Sequence, residues 1–292
     1  MLSKLRSSHP FAFAIVAYVI FSLFNMVGVL VGTCIPIGDD RLRYAVILLL
    51  GEVVCALGVL LVVRRTGQWG SMFKKGRGLA SGLAVGAYDL VLAFVIGGFS
   101  IFDALQAGTY VFDFSVASVI YIVYFLVVGF VEEILARYLI ARTFLERYGT
   151  SRKGVIKATL VSGMLFGLMH AVNITNGSIE GMIVKVLATA TGGIFYAAVY
   201  FRTGSLLSTS VIHGVHDVMY SATIWLLVET VEETAASTGL SLEAVAFPLI
   251  YGLAEVVVSF FLLRPKKAGE VRESWPEIAE DGAKAEAVEQ AA

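Results

Sequence analysis

Charge is scarce in this sequence. Only 15% of its residues are Asp, Glu, Lys or Arg, against roughly a quarter in an ordinary soluble domain, and its 22 basic and 23 acidic residues leave a net charge of −1. The scarcity excludes a soluble globular protein, and the lack of any basic excess excludes nucleic acid as a partner. Cysteine is nearly absent, with Cys34 near the outer end of the first apolar run and Cys55 about halfway through the second. That places them roughly 15 Å apart in depth at 1.5 Å rise per residue, too far for a disulfide. No inverted internal repeat of the kind common in transporters is visible.

What fills the sequence is hydrophobic residues, 58% of the whole, arranged in runs that match the roughly 20 apolar residues needed to cross a bilayer. Residues 11–38 carry no charge, 44–63 only Glu52, 79–102 only Asp89 and 114–131 none. Residues 158–179 hold only His170 among titratable groups, 181–201 only Lys185, 203–228 only His213, His216 and Asp217, and 244–263 only Glu255. These runs predict an all-α, polytopic membrane protein with about eight transmembrane helices over residues 11–264. The first run is too long for a signal-peptide core and lacks a cleavage pattern, so it reads as an uncleaved span. Lys and Arg fall in every second connection, from Lys4 and Arg6 through Lys74, Arg147 and Arg202 to Lys266, while the alternate connections hold mainly Asp and Glu. The positive-inside rule then puts both termini, residues 1–10 and the tail, in the cytoplasm. The tail, 265–292, is rich in Glu, Ala and Lys and is expected to be disordered.

Ionisable groups at membrane depth are costly and mark function by default. Three runs concentrate them: Glu132, Glu133 and Arg137; Phe166 and His170; and His213, His216 and Asp217. Glu133 and Arg137, four apart, share a helix face and predict a structural ion pair, which leaves Glu132 pointing elsewhere. Phe166 sits one turn before His170, where its ring can shield the imidazole. Gly163 and Gly167 form a small-xxx-small pair that predicts close approach of this helix to a neighbour. His213 and Asp217 share a face, and His216 reads as a cavity-lining residue to one side.

Measured from the nearest basic connection, Glu132, His170 and His213 lie ten, thirteen and eleven residues in, a common depth of roughly 15–20 Å. A glutamate and two histidines meeting there can activate water and support an oxyanion. The same three side chains, Glu132, His170 and His213, can instead bind zinc with an open position for water. Spacing leaves both open.

These blocks resemble the CPBP intramembrane proteases, the CAAX-protease and bacteriocin-processing family also called Abi. Its signature runs Glu-Glu-x-x-x-Arg, Phe-x-x-x-His, then His-x-x-x-Asn or Asp, here Glu132-Glu133 to Arg137, Phe166 to His170, and His213 to Asp217, all within about residues 115–220. The resemblance implies an intramembrane endopeptidase acting on a membrane-associated substrate, prenylated or not. It implies Glu132 as the water-activating residue, His170 as its partner, and His213 with Asp217 at the oxyanion, with Glu133, Arg137 and Phe166 in support. Where many relatives have Asn, Asp217 cannot donate a hydrogen bond when ionised. It is then protonated, orients His213, or helps hold a metal. The second reading is a non-catalytic membrane scaffold or bacteriocin immunity protein of the same fold. Other intramembrane protease designs are excluded: the sequence has no H-E-x-x-H, no G-x-S-G, and no Gly-x-Gly-Asp to accompany Tyr88-Asp89.

Overall fold

The computed structural model describes residues 1–74, 76–108, 110–172, 179–229 and 242–280, with backbone only at 172 and 242–244. Every apolar run carries helix among its described residues. A short α1 (Leu2–Ser8) leads into α2 (Pro10–Thr33), whose first residue is the proline that a helix start tolerates, and α2 packs along α3 (Asp40–Arg65). Asp39 caps α3 by accepting from Leu42 N. The third run is two helices, α4 (Leu79–Val85) and α5 (Ala87–Gln106), broken at Gly86.

The fourth run, α6 (Val116–Glu133), passes without a break into a π-helical segment, Ile134–Ala141, and then α7 (Arg142–Tyr148). After α8 (Arg152–Met169) and a 3-10 turn at His170–Val172 come α9 (Ile179–Thr203), α10 (Leu206–Tyr220) and α11 (Ala222–Leu226). A short ladder at one end pairs β1 (Tyr110–Phe112) antiparallel with β2 (Leu227–Glu229), Val111 opposite Val228. Finally α12 (Leu242–Leu262) lies along α9.

Among the described residues, six helices are long and apolar enough to cross a membrane: α2, α3, α5, the continuous helix 116–148, α9 and α12. The two that fall short are α8, at 18 residues with Arg152, Lys153 and Lys157 in its first two turns, and α10, at 15 residues. These are the helices that bring the histidines, and polar residues reduce their apolar length. The fifth run carries α8. Its α-helix stops at Met169, whose carbonyl, one of the orphans of a helix end, accepts from the Tyr18 hydroxyl of α2.

Small residues set the close approaches. A Cβ on Gly163 would lie 2.4 Å from Ile194, and one on Gly167 would lie 2.5 Å from the Ala190 Cβ, so the expected small-residue face of α8 is what meets α9. A Cβ on Gly129 of α6 would lie 2.4 Å from the Gly214 nitrogen of α10. Leucine at any of these three positions would separate helices that carry the site.

The expected disordered tail is corrected as far as residue 280; residues 281–292, like Lys75, Glu232 and Glu233, lie outside the described residues. After a 3-10 turn at Pro265–Lys267, α13 (Ala268–Ser274) packs on α9. The segment is poor in apolar residues, yet its three large ones, Val271, Trp275 and Ile278, are all buried. Trp275 Nε1 donates to the Phe201 carbonyl at 2.9 Å, and its ring meets Tyr200 edge-on. Charge completes the attachment through Arg202–Glu270, Lys74–Glu277 and Arg77–Glu273, while Lys267 pairs with Glu270 inside the segment.

Burial alone would raise the Glu270 carboxyl, but hydrogen bonds from Arg202 and Lys267, joined by their charges, hold it down at about 2. A carboxyl lowered in the folded state supports the attachment fully above its ordinary value of 4.5 and progressively less as pH falls toward about 2. We expect Trp275 emission, read in a variant with Trp69 and Trp225 changed to Phe, to shift to the red only below that ordinary value. Arg202→Gln should move the transition to higher pH; an emission unchanged by acid in both proteins would refute the attachment.

Candidate active site

The two acidic neighbours at the end of α6 have different surroundings. Glu133 is fully buried and receives Arg137 Nε at 3.0 Å on Oε1 and 3.2 Å on Oε2. This is the expected pair, and it straddles the junction of α-helix and π-helix. Single π turns recur at functional positions because they re-aim side chains that an α-helix would place elsewhere. Arg137 Nη1 donates to the Gly193 carbonyl of α9 at 2.9 Å, and the guanidinium faces the rings of Phe166 at 4.8 Å and Tyr196 at 5.7 Å. Spacing did not show that Glu133 has a second duty: its Oε1 lies 3.1 Å from His213 Nδ1 on α10.

Glu132 points into a cavity of about 40 Å³ lined by Tyr18, Phe21, Leu135, Phe166, Met169 and His170, larger than the roughly 10–15 Å³ that one water requires. Its Oε1 lies 3.9 Å from His170 Nε2 and its Oε2 lies 3.9 Å from His213 Nε2. Both rings are oriented from behind. His170 Nδ1–H donates to the Phe166 carbonyl at 2.9 Å, one helical turn back, and His213 Nδ1 meets the Glu133 carboxylate. A carbonyl only accepts, so Nδ1 of His170 carries the proton, and Nε2 is the atom presented to Glu132.

The Phe166 ring lies edge-on to His170 at 4.9 Å and to His213 at 6.1 Å. Asp217, one turn beyond His213, brings Oδ2 to 3.6 Å from His213 Nε2. The structure thus brings Glu132, His170, His213 and Asp217 together, with Glu133, Arg137 and Phe166 behind them. His216 is turned away from this group, with its Nδ1 3.0 Å from Asp89 Oδ1 on α5.

Sequence reasoning missed Tyr18, Tyr196 and the role of Asp89. Tyr18 lines the cavity and caps the end of α8, but nothing in an uncharged first span sets one tyrosine apart. Asp89 was visible as a lone charge near mid-span, and that was the available signal.

Two imidazole Nε2 atoms and a carboxylate are donors of the kind zinc takes. Among the described residues, however, no group of three or more His, Cys, Asp or Glu side chains converges to hold a metal ion.

The fold and site define a polytopic helical membrane protein with a carboxylate–histidine centre built on the helices of residues 116–220. A family model described as type II CAAX prenyl endopeptidase Rce1-like matches residues 114–219. The resemblance to the CPBP intramembrane proteases is thereby shown over the residues that carry it, and it supports a protease role for this integral membrane protein. No curated protein matches the chain.

The dehydrated ion pair generates a prediction. Removing one member of a buried pair typically costs about 3–5 kcal/mol because the other charge is left uncompensated. Arg137→Ala is therefore expected to lower the melting temperature of the protein in lipid far more than Glu132→Ala, whose carboxylate faces the cavity. Equal melting temperatures for the two variants would contradict the structural role of the pair.

Proposed function

We propose that this protein is a CAAX-type intramembrane endopeptidase that hydrolyses a peptide bond of a membrane-associated substrate with water activated by Glu132. The observation that carries the reading is the bracketing of Glu132: each of its oxygens faces the Nε2 of a different histidine at 3.9 Å, and each histidine is anchored through Nδ1. That separation is wider than a direct hydrogen bond and suits a bridging water.

In this mechanism Glu132 takes a proton from the water while His170 Nε2 orients it. The water oxygen bonds to the scissile carbonyl carbon. The negative charge that develops on the carbonyl oxygen is met by His213 Nε2–H, and the Glu133 carboxylate on Nδ1 stabilises the imidazolium that donates. Asp217, 3.6 Å from the same Nε2, orients His213, which is the role open to an ionised carboxylate. The proton held by Glu132 then passes to the leaving amine as the C–N bond breaks. Water is the nucleophile, so no acyl-enzyme forms. By the distribution of Lys and Arg, the end of the bundle carrying Arg6, Arg142, Arg202 and α13 faces the cytoplasm, as do both termini.

The test is cleavage of a quenched-fluorescent peptide library, prenylated CAAX-like members included, by the purified protein in lipid. Glu132→Ala, His170→Ala and His213→Ala should each lower kcat by at least about 100-fold, the lower bound for a positioned acid or base, without a matching loss of melting temperature. Near wild-type turnover in any one of them would remove that residue from the mechanism.

A further inference from the structure

We propose that Asp89 is a positioning residue for His213, acting through Tyr196; the proposal rests on reading Glu132, His170 and His213 as the hydrolytic centre. Asp89 lies outside the matched residues 114–219, in the first turn of α5 just after the break at Gly86. Its side chain is wholly buried, and three donors from three other helices converge on it. Tyr196 Oη of α9 donates to Oδ2 at 2.9 Å, Tyr251 Oη of α12 donates to Oδ1 at 2.7 Å, and His216 Nδ1 of α10 donates to Oδ1 at 3.0 Å. A carboxylate held at this depth is tolerated only when its oxygens are satisfied, so the three donors and the carboxylate specify one another's positions.

The consequence for His213 runs through the Tyr196 ring. With its hydroxyl fixed on Asp89, that ring lies nearly parallel to the His213 imidazole, centroids 4.8 Å apart and planes inclined by 21°. His213 is thus constrained three ways: at Nδ1 by Glu133, at its edge by Phe166, and across its face by Tyr196. Rotation about the Cβ–Cγ bond would carry Nε2 away from Glu132 and Asp217, and the stacked face opposes that rotation.

α10 therefore carries two carboxylate–imidazole pairs, Glu133–His213 from α6 and Asp89–His216 from α5. The second pair holds the helix against rolling about its axis. Neither Asp89 nor Tyr196 has contact with the cavity that Glu132 faces, so their action is on geometry.

The proposal is tested with full-length protein in lipid and a peptide that the wild type cleaves. Tyr196→Phe keeps the stacked ring and loses its bond to Asp89, Tyr196→Leu loses both, and Asp89→Asn keeps the size and loses the charge. Misplacing a reacting group by about 1 Å costs on the order of 100-fold. We therefore expect kcat to fall about 10-fold in Tyr196→Phe and in Asp89→Asn and about 100-fold in Tyr196→Leu, with KM within about 2-fold throughout. The Asp89→Asn, Tyr196→Phe double variant should be no slower than the slower single one, because both changes break one link.

A second readout needs no turnover. The chain has four histidines, so the His213 ring 15N resonances can be assigned by their loss in His213→Gln. Asp89→Asn and Tyr196→Phe should both move them while leaving those of His170 in place. Wild-type kcat in both single variants, or effects that multiply in the double one, would overturn the proposal, as would an unmoved His213 resonance. Should Asp89→Asn fail to fold, Tyr196→Phe, which removes one oxygen atom, decides alone. Should the wild type cleave no peptide, the proposed function fails, while the 15N shifts still decide whether Asp89 sets His213.

Discussion

Two opposite charges with no access to water, on Glu133 and Arg137, sit where four helices meet, and the site depends on the partners they hold there. Dehydrating such ions costs several kcal/mol each, and attraction repays this only when geometry is good and further hydrogen bonds complete the set. Glu133 binds Arg137 with both oxygens and His213 with one, and Arg137 binds the Gly193 carbonyl and faces Phe166 and Tyr196. The pair on the α6-to-π junction therefore fixes a residue on α8, two on α9 and one on α10. Withdrawing any of these helices would take a partner from a buried charge, so the helices that carry Glu132, His170 and His213 are held in one arrangement.

That arrangement demands close backbones, which explains where glycine falls. Gly163 and Gly167 let α8 lie against α9, and Gly129 lets α6 lie against Gly214 of α10. Within a bilayer, association gains little from apolar burial and much from packing and satisfied polar groups. Here the two act together: the close contacts bring the carboxylates within reach of the imidazoles, and those bonds then fix the register of the contacts.

Much of this was legible in the sequence, and the unread part has physical reasons. Local spacing gave the Glu133–Arg137 pair, the Phe166–His170 neighbours and the small-residue face of α8, because each is written within one or two turns of one helix. The π turn was not legible, since its residues are buried on all sides, Arg137 and Tyr138 included, and a segment with no solvent-facing side has no period to read. The partnership of Asp89 with His216 spans 127 residues, and nothing local to either records it. The folding of residues 265–280 was missed because composition weighs the many charges against the few apolar residues. In this segment Trp275, Val271 and Ile278 all find the same face, and the charges find partners. Tyr18 was missed because it donates to the carbonyl end of another helix, a matter of topology.

The division between long and short helices follows from the same electrostatics. The six apolar helices have the length to face lipid, whereas α8 and α10, which carry the histidines, do not meet that standard. α10 is enclosed by α4, α5, α6 and α9, so its polar residues meet protein where a lipid-facing helix would meet hydrocarbon. Non-helical or unevenly wound backbone at membrane depth is tolerated only where protein or water covers it. Three irregular stretches among the described residues lie beside the site: the break at Gly86 beside Ile212 of α10, the π turns after Glu133, and the 3-10 turn at His170. Each departure from the α-helix lies next to one of the site's titratable groups or their supports. A regular helix would satisfy its own backbone more simply, but it could not aim Glu132, His170 and His213 at a common point from three different directions.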